Sequence, residues 1–294
     1  MQTTLLIRAA NLVRANVAAR ETVRGRKHPV WRIGDIDFAN ADHGQRSDTL
    51  LLYLLAMASF IESGSDMYTR NLLTIYGGDE KISAWLRNTW EPEELQHGAA
   101  LRAYVHALWP EFPWEDAFAR FMGDYAKFAS PEAFAPTPQL ELAARCMVET
   151  GTTSFYQMMM DYAQDPVLRQ LLGHIRNDEV DHYKHFLQYF REGQRQSGNG
   201  TLRVAWTIFR RSQESRADDA WIAYRHVHEA INPLTPCTWR EYEQWLLQTK
   251  TVIRRRFPFR LAAQMLVAPL SLPPLLRDAA RWIAQAALRM AMLA

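Results

Sequence analysis

Two short stretches of the sequence decide the fold, Glu94-Leu95-Gln96-His97 and Glu179-Val180-Asp181-His182. In each stretch a glutamate precedes a histidine by three positions. An α-helix completes one turn in ~3.6 residues, so positions i and i+3 lie on the same face and both side chains can reach one metal ion. The two stretches therefore predict two helices that each supply a glutamate and a histidine to a metal site.

Two isolated glutamates complete the set of candidate ligands: Glu62 in the segment SFIESG and Glu149 in CMVETG. Along the chain, Glu62 precedes Glu94 by 32 residues, Glu149 follows Glu94 by 55, and Glu179 follows Glu149 by 30. The short gaps fit antiparallel neighbouring helices, and the long gap fits a crossover connection. One glutamate from each of two helices, with Glu-x-x-His from each of two others, is the ligand arrangement of ferritin-like four-helix bundles.

The segments around these residues also have helical patterns. The predicted helices cover residues 48–77, about 81–108, 139–163 and 166–191. Asp48 is the start signal of the first helix, and Gly77-Gly78 is its stop signal. Pro92 either kinks the second helix or begins a fresh one. Alternation of apolar and polar residues, which is typical of strands, is scarce.

We predict from this pattern an all-α fold with three parts. Residues 48–195 form a ferritin-like four-helix bundle that holds the metal. Residues 1–47 form an N-terminal helix and loop that pack on the bundle, and residues 196–294 form a helical C-terminal extension after the polar, Gly-rich segment 193–200. The Arg-rich, acid-poor start predicts an amphipathic helix of the mature protein, with an organelle transit segment as the alternative.

Composition excludes several other classes of protein. The chain is 48% hydrophobic, enough for a sizeable core, and its formal net charge is only +2, so neither charge nor motif favours nucleic-acid binding. Cys146 and Cys237 are the only two cysteines, too few for a disulfide framework or a four-cysteine metal site. No run approaches the ~20 apolar residues of a membrane span. We therefore expect a cytoplasmic location.

The chemistry of the predicted ligands favours a pair of divalent ions. Four carboxylates neutralise a combined charge of about four, and carboxylates with imidazoles suit iron or manganese rather than metals that prefer thiolates. We expect two iron ions, with manganese as the alternative. Carboxylates that change between bridging and terminal binding leave positions for O2. The alternative is that the acids have no ligand role and are exposed on helix surfaces. That alternative fits Glu94 alone but not the whole set.

Two more acids immediately precede ligand glutamates. Metal-bound imidazoles usually donate their other ring N–H to a carboxylate. From the approximate twofold symmetry of the pattern, we predict that Asp178 orients His97 and that Glu93 orients His182. The alternative is that both acids face solvent.

The residues flanking the ligands resemble those of a known family. Trp90-Glu91-Pro92-Glu93-Glu94-Leu95-Gln96-His97-Gly98 resembles the Trp-x-x-Glu-Glu-x-x-His-Gly stretch of soluble acyl-acyl-carrier-protein desaturases, and Asp178-Glu179-x-x-His182 resembles their second motif. Phe60-Ile61-Glu62, with Tyr68 downstream, is similar to their first ligand helix. Thr152 stands three residues after Glu149, where the family has a threonine beside the O2 site. The resemblance covers roughly residues 45–195.

This resemblance implies an O2-dependent dinuclear-iron oxidoreductase, a desaturase or oxygenase that acts on an apolar acyl chain, free or bound to a carrier protein. It also implies a homodimer and an external, ferredoxin-like electron donor. Thr152 would be catalytic, relaying protons to bound oxygen; the alternative is a hydrogen bond to a helix carbonyl. Trp31 is the candidate for the family's N-terminal tryptophan, part of a proposed electron path.

The sequence departs from the family in ways that bear on the substrate. Gln96 and Asp181 stand where the desaturases usually have a basic residue, and residues 196–294 match nothing in the family. An oxygenase of an amine or aromatic substrate is therefore the first alternative function. Iron storage or peroxide detoxification is the alternative from another class, and a degenerate scaffold that binds a carrier protein is the third.

A basic cluster near the C-terminus, Arg254-Arg255-Arg256, has three interpretations. It is a solvated helix face, a docking site for an acidic carrier protein, or, with the amphipathic tail after it, a peripheral membrane contact. Five histidines are expected to be surface or core residues without a ligand role: His106, His174, His185, His226 and His228. Gly98 and Gly151 adjoin ligands and leave space for substrate or for close helix packing.

Overall fold

The computed structural model describes residues 28–127, 134–217 and 219–293. These residues form helices and connecting turns with no β-strand among them, which confirms the prediction of an all-α fold. The N-terminal helix predicted within residues 1–47 falls largely on residues 1–27, outside the described residues. In chain order the α-helices are α1 (Thr49–Ser63), α2 (Ser65–Tyr76), α3 (Glu80–Trp85), α4 (Glu91–Leu108), α5 (Trp114–Tyr125), α6 (Pro138–Tyr162), α7 (Pro166–Ser197), α8 (Thr201–Ala217), α9 (Asp219–Ile231), α10 (Trp239–Arg256), α11 (Phe259–Val267) and α12 (Pro274–Leu293).

Helix α1 begins where the sequence predicts. The Asp48 carboxylate accepts a hydrogen bond from the backbone N–H of Leu51 at 2.9 Å, which satisfies one of the N–H groups left free at a helix start. Most of α1 is buried, as expected for a helix that is apolar on nearly every side. Glu62 lies in its last turn, so this core helix carries one acid into the interior.

The prediction of a single helix over residues 48–77 is wrong, because the chain bends at Gly64. The N–H of Gly64 bonds to two carbonyls in the last turn of α1, at 3.2 and 3.1 Å, and the Ser65 hydroxyl donates to the carbonyl of Glu62. Helix α2 then leaves at 40° to α1. The bent pair together has the length and composition of a membrane span, whereas no single helix in the described part of the chain does.

A π-helical turn, Leu86–Trp90, separates α3 from α4. Pro92 lies in the first turn of α4, where its missing N–H costs no helical hydrogen bond. The second predicted helix is therefore two helices joined by a π turn, an irregularity that often occurs at functional sites. The buried side chain of Trp90, at the end of this turn, lies near His182, with the ring centroids 6.4 Å apart.

The helices that carry the predicted ligands pack in pairs. Helix α1 packs along α4, α6 packs along α7, and α4 also contacts α7. The C-terminal helices cover these pairs, since α9 lies against α1 and α5, and α8, α10 and α11 lie against α6. Helices α8 to α11 therefore pack directly on helices that carry the predicted ligands, and α12 packs on α10 and α11. The three domain boundaries stay predictions.

Candidate metal centre

The structure brings the six predicted ligands together in the interior. None of them is more than 8% exposed. They come from four helices: Glu62 from α1, Glu94 and His97 from α4, Glu149 from α6, and Glu179 and His182 from α7. Four carboxylates in a space closed to water are costly unless positive charge lies among them.

The six residues form two overlapping groups. The first contains Glu62, Glu94, His97 and Glu179, and the second contains Glu94, Glu149, Glu179 and His182. Within each group, one ligand atom per residue lies within 4.8 Å of the others. Glu94 and Glu179 belong to both groups. Two carboxylates shared between two four-residue groups form the framework of a site for two neighbouring ions.

The His97 ring points one nitrogen into the cluster and the other away from it. Its Nδ1 lies 3.1 Å from Glu179 Oε1 and 3.8 Å from Glu62 Oε2. Its Nε2 lies 3.1 Å from Asp178 Oδ2, the contact that the sequence predicts. An Nε2–H that donates to Asp178 leaves the Nδ1 lone pair facing the carboxylates, which is the form that binds a metal.

His182 repeats this arrangement on the other side of the cluster. Its Nδ1 lies 3.0 Å from Glu94 Oε1 and 3.8 Å from Glu149 Oε2, and its Nε2 lies 3.0 Å from Glu93 Oε2. Glu93 is buried, so the expected contact with His182 is made and the solvent-facing alternative for Glu93 is wrong. The two halves of the cluster therefore match in both the ligand set and the acids behind the histidines.

Three buried atoms at the centre of the cluster make no hydrogen bond: His97 Nδ1, His182 Nδ1 and Glu179 Oε1. Buried polar atoms in proteins nearly always have a partner, and exceptions call for an explanation such as an ion. All three atoms are good ligands for a divalent cation, and all three face the same small space. The residues therefore fit a metal centre.

The pKa values of the acids reflect this crowding. Burial, together with repulsion from Glu179, raises the pKa of Glu94 and Glu149 well above the usual value. The pKa of Glu179 is lowered despite its burial, because the imidazoles of His97 and His182 lie beside it. The crowding of buried carboxylates therefore favours the protonated forms of Glu94 and Glu149.

The pKa values of the two imidazoles also reflect the buried carboxylates around them. Burial on its own lowers the pKa of His97 and His182. The nearby carboxylates of Asp178, Glu179 and Glu62 reverse this for His97, and those of Glu93 and Glu94 reverse it for His182, so that both pKa values lie well above the usual range. A metal ion would displace these protons.

Thr152, the predicted catalytic residue, contacts a shared ligand. Its hydroxyl lies 2.5 Å from Glu179 Oε2 and 3.2 Å from the carbonyl oxygen of Glu149, one turn earlier on α6. The bond to the helix carbonyl, the alternative interpretation of this threonine, is present, and the catalytic role stays a prediction. The shorter contact is the one to the carboxylate, so the hydroxyl is placed to hold Glu179 in one orientation.

Two further residues form hydrogen bonds with the carboxylates of candidate ligands. These contacts were not predicted from the sequence. The buried Tyr156 hydroxyl donates to Glu62 Oε1, and the Trp90 indole N–H donates to Glu149 Oε1 at 3.3 Å. Tyr156 follows Glu149 by seven residues, two helical turns, and this spacing on one face is the signal that could have identified it. These bonds fix the carboxylates of the two unshared glutamates.

Trp31 lies behind His97. Its indole N–H donates to Asp178 Oδ2 at 2.7 Å, and its ring is nearly parallel to that of His97, with centroids 6.2 Å apart. Gln96, one of the departures from the desaturase pattern, donates to the Trp31 carbonyl at 3.2 Å. Gln96 therefore helps to hold the tryptophan, and Asp178 links it to the candidate ligand.

Gly98 allows α1 and α4 to approach closely beside the ligands. A Cβ at this position would lie 2.6 Å from the backbone nitrogen of Ser63 and 2.9 Å from its Cα, too close for any side chain. A Cβ at Gly151 would meet nothing within 4 Å. Close helix packing therefore explains Gly98, and it also sets the distance between Glu62 and His97.

A second buried ionic cluster lies on α6. Glu141 is fully buried, with Arg145 Nε 3.2 Å from its Oε1 and Arg211 Nη2 2.9 Å from its Oε2. Arg145 also lies over the ring of Tyr68. We call Glu141, Arg145 and Arg211 the arginine cluster. Here the chain itself supplies the cations that a buried carboxylate needs.

The basic cluster at the end of α10 is exposed. One member, Arg256, donates to the carbonyl of Asp161 at the end of α6. Cations in the last turn of a helix also interact favourably with its dipole. A structural role therefore accounts for part of this cluster, and docking of a carrier protein and membrane contact stay predictions.

Comparison with known proteins does not assign the chain to a family. No sequence model of a protein family matches the chain, and no curated protein shows significant similarity to it. Conclusions about function therefore depend on the residues and on their geometry.

Proposed function

We propose that α1, α4, α6 and α7 form a ferritin-like four-helix bundle that holds two metal ions. The supporting observation is the pair of overlapping groups that share Glu94 and Glu179. In this arrangement Glu62 and His97 would hold one ion, Glu149 and His182 would hold the other, and Glu94 and Glu179 would be shared between them. Four such helices with this ligand set are characteristic of dinuclear carboxylate proteins.

Iron is the proposed metal, with manganese as the alternative. The ligands of the two groups are carboxylate oxygens and imidazole nitrogens, without a thiolate, and this set suits iron and manganese. Four carboxylates also balance the charge of two divalent ions, which leaves the site close to neutral within the apolar core.

We propose further that the protein is an O2-dependent oxidoreductase acting on an apolar acyl chain, free or attached to a carrier protein. A ferrous pair supplies the reducing equivalents for O2 and the means to remove hydrogen from an unactivated carbon. The chain contributes the surroundings: Thr152 holds Glu179 and carries an exchangeable proton beside it, and Tyr156 and Trp90 fix the unshared carboxylates. The resemblance of the motifs to acyl-carrier desaturases favours the acyl substrate.

Electrons must come from a separate donor, for which a ferredoxin-like protein is proposed. The sequence contains no dinucleotide-binding fingerprint, and its two cysteines cannot form a rubredoxin-type site. Trp31 and Asp178 form a hydrogen-bonded connection to His97, and they are the proposed route by which electrons approach the centre. A homodimer is proposed from the resemblance alone.

Metal analysis after anaerobic reconstitution with ferrous iron tests the site. About two ions per folded chain are expected. The double variant Glu94→Gln, Glu179→Gln should bind almost none, because it removes both shared carboxylates, whereas Glu91→Gln on the same helix should bind as the wild type does. Fewer than about one ion per wild-type chain would contradict a dinuclear centre.

Stopped-flow mixing of the reduced protein with O2 tests the reaction. Acyl-carrier-protein substrates, free fatty acids and aromatic amines form three parallel arms, with product analysis by mass spectrometry. Faster decay of the oxygenated protein with an acyl substrate, together with loss of two hydrogens or gain of one oxygen, is the expected result. Acceleration only by amines would support the alternative oxygenase. Rapid formation of mineral in a large assembly would support iron storage.

A further inference from the structure

A second candidate metal site lies far along the chain from the first. His228 near the end of α9, Cys237 in the following loop and Glu241 in the first turn of α10 each place a ligand atom within 4.8 Å of the other two. From the sequence, we expect His228 to be a surface or core residue without a ligand role. We propose that these three side chains bind a zinc ion, separate from the dinuclear centre and independent of its function.

The three ligand atoms lie within 4.8 Å of one another, and one of the pairs approaches the spacing of zinc ligands. Zinc bonds of ~2.0 Å to nitrogen or oxygen and ~2.3 Å to sulfur place tetrahedral ligands roughly 3.3–3.6 Å apart. His228 Nε2 and Glu241 Oε1 are already 3.8 Å apart. Small side-chain movements would complete the site, and three protein ligands leave a fourth position for water.

His228 is held in the orientation that a metal ligand needs. Its Nδ1 lies 2.9 Å from the hydroxyl of Tyr53 and 3.2 Å from that of Tyr224. Either hydroxyl oxygen can accept the Nδ1 proton, which leaves the Nε2 lone pair on the side of Glu241. Outer contacts of this kind fix the tautomer of ligating histidines in known metal sites.

Glu241 has one oxygen engaged and one available. Its Oε2 accepts hydrogen bonds from the backbone N–H and the hydroxyl of Thr238, both at 2.7 Å. These bonds lower the pKa of Glu241, so the group is a carboxylate. They also form the capping box that starts α10, which fixes the side chain while Oε1 faces His228.

Cys237 determines which metal fits. Its thiol makes only a long contact, 3.8 Å, to the carbonyl of Thr238. Burial, with the nearby carboxylates of Glu241 and Glu229, raises the pKa of Cys237 to about 12, so metal binding must release its proton. A thiolate with one imidazole and one carboxylate favours zinc over iron or manganese. The two sites in this chain therefore prefer different metals.

The position of the site suggests what the ion would hold together. It joins α9 to α10, and Tyr53, which contacts His228, belongs to α1, the helix that carries Glu62. A zinc ion here would fasten the C-terminal helices to each other and, through Tyr53, to a ligand helix of the dinuclear centre. The expected role is therefore structural.

Cobalt titration of the full-length, reduced protein tests this proposal, because Co²⁺ reports a thiolate ligand by a charge-transfer band in the near ultraviolet. The first site contains no cysteine, so its cobalt does not contribute to this band. The wild type should develop the band to an amplitude of about one thiolate-bound cobalt per chain, and added Zn²⁺ should abolish it, since both metals occupy tetrahedral thiolate sites.

Three variants give the matched comparison. Cys237→Ser should lose the band completely, and Cys146→Ser should keep it, because Cys146 is buried in another part of the core. Glu241→Gln preserves a capping residue of the same length and should bind cobalt at least about tenfold more weakly, a typical cost of altering a metal-site partner. No band in the folded wild type, or a band that persists in Cys237→Ser, would overturn the proposal.

Discussion

Helix α6 contributes to two buried ionic clusters that differ in how their charge is balanced. Glu141, at the N-terminal end, faces Arg145 and Arg211. Glu149, two turns later, belongs to the candidate metal centre, in which four glutamates meet only two imidazoles. In the arginine cluster the protein itself supplies cations to the buried carboxylate. The metal centre has a surplus of buried acid that the described residues do not balance.

The difference shows what a buried acid requires. An ionised carboxylate in a core persists when a cation lies beside it, and removing that cation costs several kcal/mol. Where arginines provide the positive charge, the buried carboxylate needs no metal ion. Where only histidines are present, the pKa values of Glu94 and Glu149 rise and protons fill the deficit. That deficit is what a pair of divalent ions would remove.

The largest expected effect is on the arginine cluster. Glu141→Gln leaves Arg145 and Arg211 buried without their carboxylate, and we expect the free energy of unfolding to fall by about 3–5 kcal/mol. Chemical denaturation of the metal-free protein measures this. The folded variant should still bind iron as the wild type does, and a cost below about 1 kcal/mol would show that the cluster is solvated.

The variant Glu94→Gln, in contrast to Glu141→Gln, should not lose stability. The variant should unfold at equal or higher denaturant concentration than the wild type in the metal-free state, because it removes a carboxylate whose ionised form is disfavoured. The wild type should gain about 2.7 kcal/mol at a metal concentration 100 times the dissociation constant, and the variant should gain almost nothing. If the metal-free Glu94→Gln protein were much less stable than the metal-free wild type, the surplus of buried acid in the candidate metal centre would be contradicted.

Asp178→Asn tests the acids behind the histidines. It removes the charge that orients His97 while keeping the size of the side chain, and metal affinity should fall about 10–100-fold. The matched control is Asp181→Asn, which alters a buried acid on the same helix that pairs with Lys184. Calorimetric titration of both variants gives the comparison. If the two variants lost the same amount of metal affinity, Asp178 would have no special role in orienting His97.

The smallest effect is expected at a half-exposed ionic contact between α5 and α9. Asp124 binds Lys127, His226 and Arg225, and the hydrogen bond from Lys127 contributes most to lowering its pKa. Asp124→Asn should cost about 0.2–1 kcal/mol at neutral pH. Because the folded pKa is lowered, this advantage of the wild type is present above the usual aspartate pKa and disappears as pH falls through the folded value. A difference between the two proteins that grows towards acid pH would contradict the assignment.

The sequence predicts the local part of the metal centre well. Spacing of three residues on a helix places Glu94 with His97 and Glu179 with His182, and the acids immediately before the glutamates reach the opposite histidines. These relations follow from helix geometry and approximate symmetry. The all-α fold follows for the same reason, because helical periodicity needs only neighbouring residues.

Features that depend on packing between distant segments could not be predicted. Arg211 meets Glu141 across 70 residues, and Tyr156 meets Glu62 across 94. The bend at Gly64 depends on how α2 packs, which the apolar pattern does not record. His228 and Cys237 come together only because the loop after α9 returns Cys237 to its end, so no regular spacing indicates the second site.

Anomalous X-ray diffraction from crystals of the iron-loaded protein, collected at the iron absorption edge, tests the central claim most directly. Two iron peaks about 3.5–4 Å apart are expected. Glu94 and Glu179 should lie between them, with His97 beside one peak and His182 beside the other. A single peak, or iron bound outside these six residues, would contradict the account.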